Sequence, residues 1–184
     1  MWARAPVYAE VGSTLRSFLM SLLCVVAACS YAGRLNPATW PDFVASRTGV
    51  AFRAPGDYKA RNEYGCWTRA DERWGMPGWR DLCVDTLKAG ASYSLADEVP
   101  CGGDCTTYEE LRVDTLVLAG RRAVVERALA SGGVGGIVRE RQLLVRIQTP
   151  EGTVLRLHGS TGDTAGYDEL LAIAATMRPL RSPP

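Results

Sequence analysis

The side chains with reactive chemistry are few and widely spaced. His158 is the single histidine, Ser160 follows two residues later, and Asp163 lies three beyond that. A Ser-His-Asp hydrolase is therefore the first chemistry to weigh. It needs a base oriented by a carboxylate and aimed at an exposed nucleophile. The neighbours of Ser160 form no nucleophile elbow, so His158 reads as a surface residue at a strand end and no catalytic residue is assigned. Gly132-Gly133-Val134-Gly135-Gly136 invites a phosphate-loop reading. The stretch that follows, Ile137-Val138-Arg139-Glu140-Arg141, has strand character and not that of a helix N-terminus, so the glycines read as a hairpin connection.

The six cysteines are Cys24, Cys29, Cys66, Cys83, Cys101 and Cys105. Zinc sites favour Cys-x-x-Cys pairs and histidine, and thiol oxidoreductases favour Cys-x-x-Cys at a helix start. Cys101-Gly-Gly-Asp-Cys105 has three intervening residues, and the other intervals are much longer. No metal or cofactor is expected. The even remainder after Cys24 and Cys29 reads as two disulfides, with Cys66–Cys83 and Cys101–Cys105 the favoured pairing.

Two arginines, Arg146 and Arg156, form a candidate anion-binding pair for lipid headgroups or an acidic partner. The competing reading is a solvated outer face balanced by Glu140 and Glu151. Alternation puts Arg139 and Arg141 on the other side of the same strand, so the four are not one patch. The whole chain of 184 residues carries 21 Lys and Arg against 20 Asp and Glu. Such balance gives no field favouring nucleic acid, and no nucleic-acid partner is expected. Only Lys59 and Lys88 are lysines, a bias that fits a GC-rich coding sequence.

The N-terminus explains where these residues would act. Residues 18–28 are an uncharged run preceded by Arg4 and Arg16. At about 1.5 Å per residue the run is too short to span the bilayer core and has the layout of a secretory signal peptide. Its end, Val26-Ala27-Ala28-Cys29, resembles the bacterial lipobox. That resemblance implies a lipid anchor on Cys29, an exported protein held in the periplasm, and outer-membrane sorting in a diderm host. Two acyl chains suffice for stable anchoring. Cleavage after Ala32 would instead release a soluble secreted protein. Removing Arg4, Arg16 and Glu10 leaves 19 cations and 19 anions in the mature chain.

The expected organisation is a signal peptide at 1–28, a tether at 29–44, one α+β domain at 45–180 and a frayed tail at 181–184. A strand at 49–55 precedes a turn at Pro55-Gly56-Asp57. Residues 62–69 and 80–88 form a long hairpin with Cys66 and Cys83 near-opposite. Trp67, Trp74 and Trp79 cluster there and read as packing residues, with ligand stacking as the alternative. Residues 89–109 are irregular. Strands follow at 110–118, 121–130, 137–148 and 153–159. In the last hairpin, matching the faces of Leu143, Val145 and Ile147 with Leu155 and Leu157 sets Arg146 opposite Arg156 and Leu144 opposite His158. Such a cation pair repels unless water, a carboxylate or an anion intervenes. Tyr167, Leu170, Leu171, Ala174 and Met177 share one face of a closing helix, with Asp163 or Thr164 as N-cap and Pro179 as its stop. The fold class is thus an antiparallel sheet of five to seven strands with a C-terminal helix on one face, stapled by disulfides.

Three segments resemble the PsbP-like fold of small exported bacterial lipoproteins and photosystem extrinsic proteins. They are Gly49-Val-Ala-Phe-Arg-Ala-Pro-Gly-Asp-Tyr58, Leu116-Val-Leu-Ala-Gly-Arg-Arg-Ala123, and Tyr167 through Thr176-Met-Arg178. The cysteine-bearing stretch at 66–105 departs from that pattern, as does the lack of a helix before the last strands. The resemblance implies the same antiparallel sheet with a helix and carries over no catalytic residues. The functional expectation is a non-enzymatic binding or accessory module, its partners the membrane through the lipid and an envelope protein. An immunity or inhibitor lipoprotein is one form of it. The alternative is an envelope enzyme: a hydrolase using Ser160 and His158, or a thiol oxidoreductase using Cys101 and Cys105.

Overall fold

Alternation along the later strands decides which face of the sheet is dry. The computed structural model describes residues 35–62, 65–69, 79–88, 90–91, 93–97, 107–132 and 138–180. The expected signal peptide, Cys24, Cys29, Trp74, Cys101, Cys105, Gly133–Gly136 and the expected tail lie outside the described residues. Seven antiparallel strands form the larger sheet. Its order is β3 (Tyr58–Asn62), β4 (Cys66–Arg69), β5 (Arg80–Leu87), β9 (Val154–Thr161), β8 (Val138–Gln148), β7 (Arg121–Gly132) and β6 (Thr107–Leu118). A three-stranded sheet places β2 (Val50–Arg53) between β1 (Asp42–Ala45) and β10 (Arg178–Pro179). The helix α1 (Ala165–Thr176) packs on the larger sheet, so the α+β class read from the sequence is observed.

Leu143, Val145, Ile147, Leu155 and Leu157 are fully buried and meet Leu170, Ile173 and Ala174 of α1. Fully burying each large aliphatic side chain stabilises by about 1.5–3 kcal/mol. Phe52 lies edge-on to Trp67, with ring centroids 4.8 Å apart, and Phe43 stacks on Phe52. Trp67 and Trp79 are buried, in keeping with the packing reading. The hairpin between β8 and β9 has the expected register: Arg146 pairs with Arg156 and Leu144 with His158 across a five-residue turn. Cys66 lies directly opposite Cys83, and the two form a disulfide.

Several boundaries differ from the sequence reading. Residues 42–44, assigned to the tether, belong to β1, because Phe43 has an aromatic surface to cover and β2 offers it Phe52. The compact unit accordingly begins at Pro37. The chain leaves α1 before Pro179: Met177 is extended, and Pro179 belongs to β10 on the edge of β2. That is a position where a missing N–H is tolerated. Thr176 ties the helix end to β2, its hydroxyl accepting from the Arg53 amide at 2.8 Å. At the other end the Asp163 carboxylate accepts from the Gly166 N–H at 2.9 Å, whereas Thr164 makes no side-chain capping bond.

Two glycines are required by geometry. Ala119 (φ 48°) and Gly120 (φ 76°) are the two loop residues between β6 and β7, the pattern of a type I′ hairpin. A Cβ on Gly166 would lie 2.6 Å from Arg80 Nε and closer still to the Thr161 side chain, so glycine lets α1 approach β9. Arg80 is buried there. It donates to Thr161 Oγ1 at 2.8 Å and pairs with Asp163 at 3.0 Å. Glu169 accepts from Tyr58 Oη at 2.8 Å beneath the same helix. Burial and the Glu169 carboxylate hold the Tyr58 phenol well above its ordinary pKa.

Candidate functional site: the polar face of the larger sheet

The face of the larger sheet turned away from α1 collects the residues singled out for chemistry. Its even-numbered positions on β8 and β9 meet odd-numbered ones on β5, so register alone assembles three cross-strand rows. Thr68, Asp81, Ser160, Gln142 and Ala128 form the first. Cys66, Cys83, His158, Leu144 and Glu126 form the second, and Asp85, Arg156, Arg146 and Val124 the third.

The third row carries the like-charged pair. Arg156 donates through Nε to Asp85 Oδ1 at 2.8 Å, pairs with Asp85 again through Nη2, and sits 4.4 Å over the Tyr93 ring. Arg146 pairs with Glu126, which is only 1% exposed. Each guanidinium thus has its own carboxylate from the strand beyond, and the repulsion between Arg146 and Arg156 is answered within the chain. Glu126 does more than neutralise Arg146. Its Oε2 accepts from Ser94 Oγ at 2.6 Å and from the Leu95 amide at 2.8 Å. These bonds hold the 3-10 turn Leu95–Asp97 against the sheet, where Leu95 packs with Leu144, Ala128, Tyr93 and Tyr108 as a second small core.

The first two rows hold the histidine and serine. His158 Nε2 lies 2.8 Å from Gln142 Oε1, and Ser160 Oγ donates to the same oxygen at 3.0 Å. Gln142 in turn donates through Nε2 to Glu140, which fixes which end of the amide faces the histidine. With a carbonyl oxygen opposite it, Nε2 is the protonated nitrogen of the imidazole. Asp163 does not join His158 and Ser160. It lies toward α1, where it pairs with Arg80. In its place the fold brings Asp81 and Glu140 close to Ser160 and His158. Burial pushes both carboxyls above the usual carboxylate range. The Asp81 charge raises Glu140 further, while the Arg61 guanidinium and His158 counteract on Asp81. Asp81 Oδ1 and Glu140 Oε2 are buried without hydrogen-bond partners among the described residues. Sequence reasoning missed Glu126 and Asp81 and read Glu140 only as a balancing charge on a solvated face, because their relevance depends on the strand order.

Among the described residues no group of three or more His, Cys, Asp or Glu side chains could hold a metal ion. No helix there is long and apolar enough to cross a membrane.

No protein-family model matches the chain, and no curated protein matches it in sequence. Solved structures offer distant likenesses. The solution structure of cyanobacterial PsbP (CyanoP) from Synechocystis sp. PCC 6803 is 14% identical, with a TM-score of 0.46. The match covers 78% of this chain and 94% of that one. A crystal structure from Bacteroides thetaiotaomicron VPI-5482 is 10% identical with a TM-score of 0.34, the match covering 75% of this chain and 47% of that one.

Proposed function

We propose that this chain is a lipid-anchored protein of the bacterial cell envelope that acts as a non-enzymatic binding or accessory module. The observation that supports the binding reading is how the polar face is satisfied. The Ser160 hydroxyl donates to an amide oxygen, the His158 ring nitrogen facing it carries its proton toward the same oxygen, and Arg146 and Arg156 each hold a carboxylate. Side chains bonded in this way shape and stiffen a surface, whereas nucleophilic catalysis needs a serine bonded to a free base nitrogen. The anchor rests on the resemblance of Val26-Ala27-Ala28-Cys29 to a lipobox.

Intact mass of the membrane-extracted full chain, before and after reduction, tests the address. The expected species starts at a diacylated Cys29 and gains two hydrogens per disulfide on reduction. A cytoplasmic, unacylated chain with free thiols would overturn it, and Cys29→Ser should move the protein out of the membrane fraction.

One observation favours a second reading. Asp81 and Glu140, whose carboxyls burial raises above their ordinary pKa, lie beside His158 and Ser160, and carboxyls raised in this way are the type used as general acids. A hydrolytic activity lost in Asp81→Asn or Ser160→Ala with folding intact would displace the binding reading.

A further inference from the structure

On the α1 side of the larger sheet, between the first turn of that helix and strands β6–β8, lies a cavity of about 290 Å³. Three guanidiniums converge on it. Arg112 lies directly opposite Arg127, and Arg141 sits one diagonal step away on β8, opposite Leu129. Glu110, Thr164 and Tyr167 complete the polar lining.

This second like-charged cross-strand pair is not resolved as the first one is. Arg127 pairs with Asp114 at 2.6 Å. Arg141 donates only to a backbone carbonyl, that of Gly162, at 3.3 Å. Arg112 has no hydrogen bond or ion pair among the described residues. Asp163, the acid nearest in sequence to this helix end, is engaged by Arg80. Counting Asp114 and Glu110 against the three arginines leaves a net positive site. The local backbone is also unusual. The register slips between Glu109 and Arg112, and Glu110 is held at φ 54°. Bulges of this kind re-aim side chains, and a non-glycine residue in that region stores strain.

We propose that this cavity binds the phosphate group of a small organic phosphate. Guanidinium forks match phosphate oxygens in pairs, and a group carrying about −1.5 to −2 charge answers the excess cation charge. Glu110, an acceptor beside the cations, suits a hydroxyl of the organic part, and Leu129 gives that part an apolar wall. The volume is at the small end for ligand sites and fits a phosphate with a few carbons. This site lies on the opposite side of the sheet from the polar face and does not depend on the anchor or on the binding reading above.

Calorimetric titration of the full chain in detergent, with glycerol 3-phosphate, inorganic phosphate, glycerol and phosphatidic acid vesicles, tests the assignment. Glycerol 3-phosphate should bind more tightly than inorganic phosphate, glycerol should not bind, and added salt should weaken binding. Arg112→Gln and Arg141→Gln should each weaken it about tenfold or more, as expected for losing a charged hydrogen bond, while the exposed Arg122→Gln should leave it unchanged. Arg112→Lys retains the charge without the fork and should fall between wild type and Arg112→Gln, which separates a binding loss from a folding loss. Vesicle binding alone, lost in Arg112→Gln, would support the site with a lipid headgroup as the phosphate source. Silence with every phosphate, or wild-type binding in both Arg112→Gln and Arg141→Gln, would overturn the proposal.

Discussion

Replacing Glu126 by glutamine leaves the shape of the side chain and removes the charge on which three donors converge. Ser94 Oγ, the Leu95 amide and Arg146 all point at this carboxylate, which is buried to 1% exposure. A glutamine has one acceptor oxygen and two N–H donors, so its NH₂ must face either Arg146 or the Ser94–Leu95 segment. Removing one partner of a buried ion pair costs about 3–5 kcal/mol. The Arg146 side chain retains 19% of its exposure and can recover some hydration. That places the loss near the lower end, about 3 kcal/mol, or roughly 6–12 °C in Tm for a domain of this size. Urea denaturation at neutral pH should show the loss. Amide exchange should show it locally, with Leu95 losing protection while the central strands β8 and β9 keep theirs. A Glu126→Gln, Arg146→Met double variant should recover part of the stability, because it removes the orphaned charge as well. A Glu126→Gln protein within about 0.5 kcal/mol of wild type, with Leu95 exchange unchanged, would refute this role for Glu126, since surface-like substitutions behave that way.

Three further outcomes are expected. Burial raises the Asp81 and Glu140 carboxyls from ordinary values of 3.8 and 4.5, so the folded state binds more protons than the unfolded one between each ordinary value and its raised one. Stability should therefore fall as pH rises through that window. Glu140→Gln should be more stable than wild type at pH 7, with the gap closing on acidification in pH-dependent melting; a gap constant with pH would refute the assignment. Gly166→Ala should lose roughly 1–2 kcal/mol in chemical denaturation, because the overlap with Thr161 and Arg80 outweighs the helix propensity gained. Cys66→Ser with Cys83→Ser opens a loop of sequence separation 17 and should lose about 3 kcal/mol in non-reducing denaturation, a difference that disappears when both proteins are reduced.

The part of the fold legible in the sequence is the part with period-two alternation. The run from Leu143 to Ile147 and the pair Leu155 and Leu157 carry enough pattern to set a register, and the opposition of Arg146 and Arg156 follows from it. The carboxylates that relieve that opposition come from β7 and β5, and no local pattern says that those strands flank the hairpin. Strand β3, with the polar sequence Tyr58-Lys-Ala-Arg-Asn62, shows no apolar stripe, because it lies on the sheet edge. Strand β10 is two residues long and contains Pro179, which reads as a helix stop until β2 is known to pass beside it. Ile173 lies on the buried face of α1 together with the anticipated Leu170 and Ala174, and the anticipated Met177 is buried just past the helix end. The cavity arginines were visible only as a parity statement about Arg141. Arg112 and Arg127 join it through the register that the tight turn at Ala119-Gly120 sets.

The small sheet has a consequence for the order in which the chain can fold. Its central strand, β2, holds the apolar Val50, Ala51 and Phe52, and one flank is supplied by residues 178–179 at the far end of the domain. The Asp42–Arg178 ion pair closes the same span, with a sequence separation of 136. During synthesis β1 and β2 can pair early, but the far flank of β2 stays open until nearly the whole domain has been made. Contacts of such long separation form late and slow the reaction. A ribosome-bound or partly translocated chain would therefore present that strand edge for longest, making it the natural place for a chaperone to hold and for premature aggregation to start.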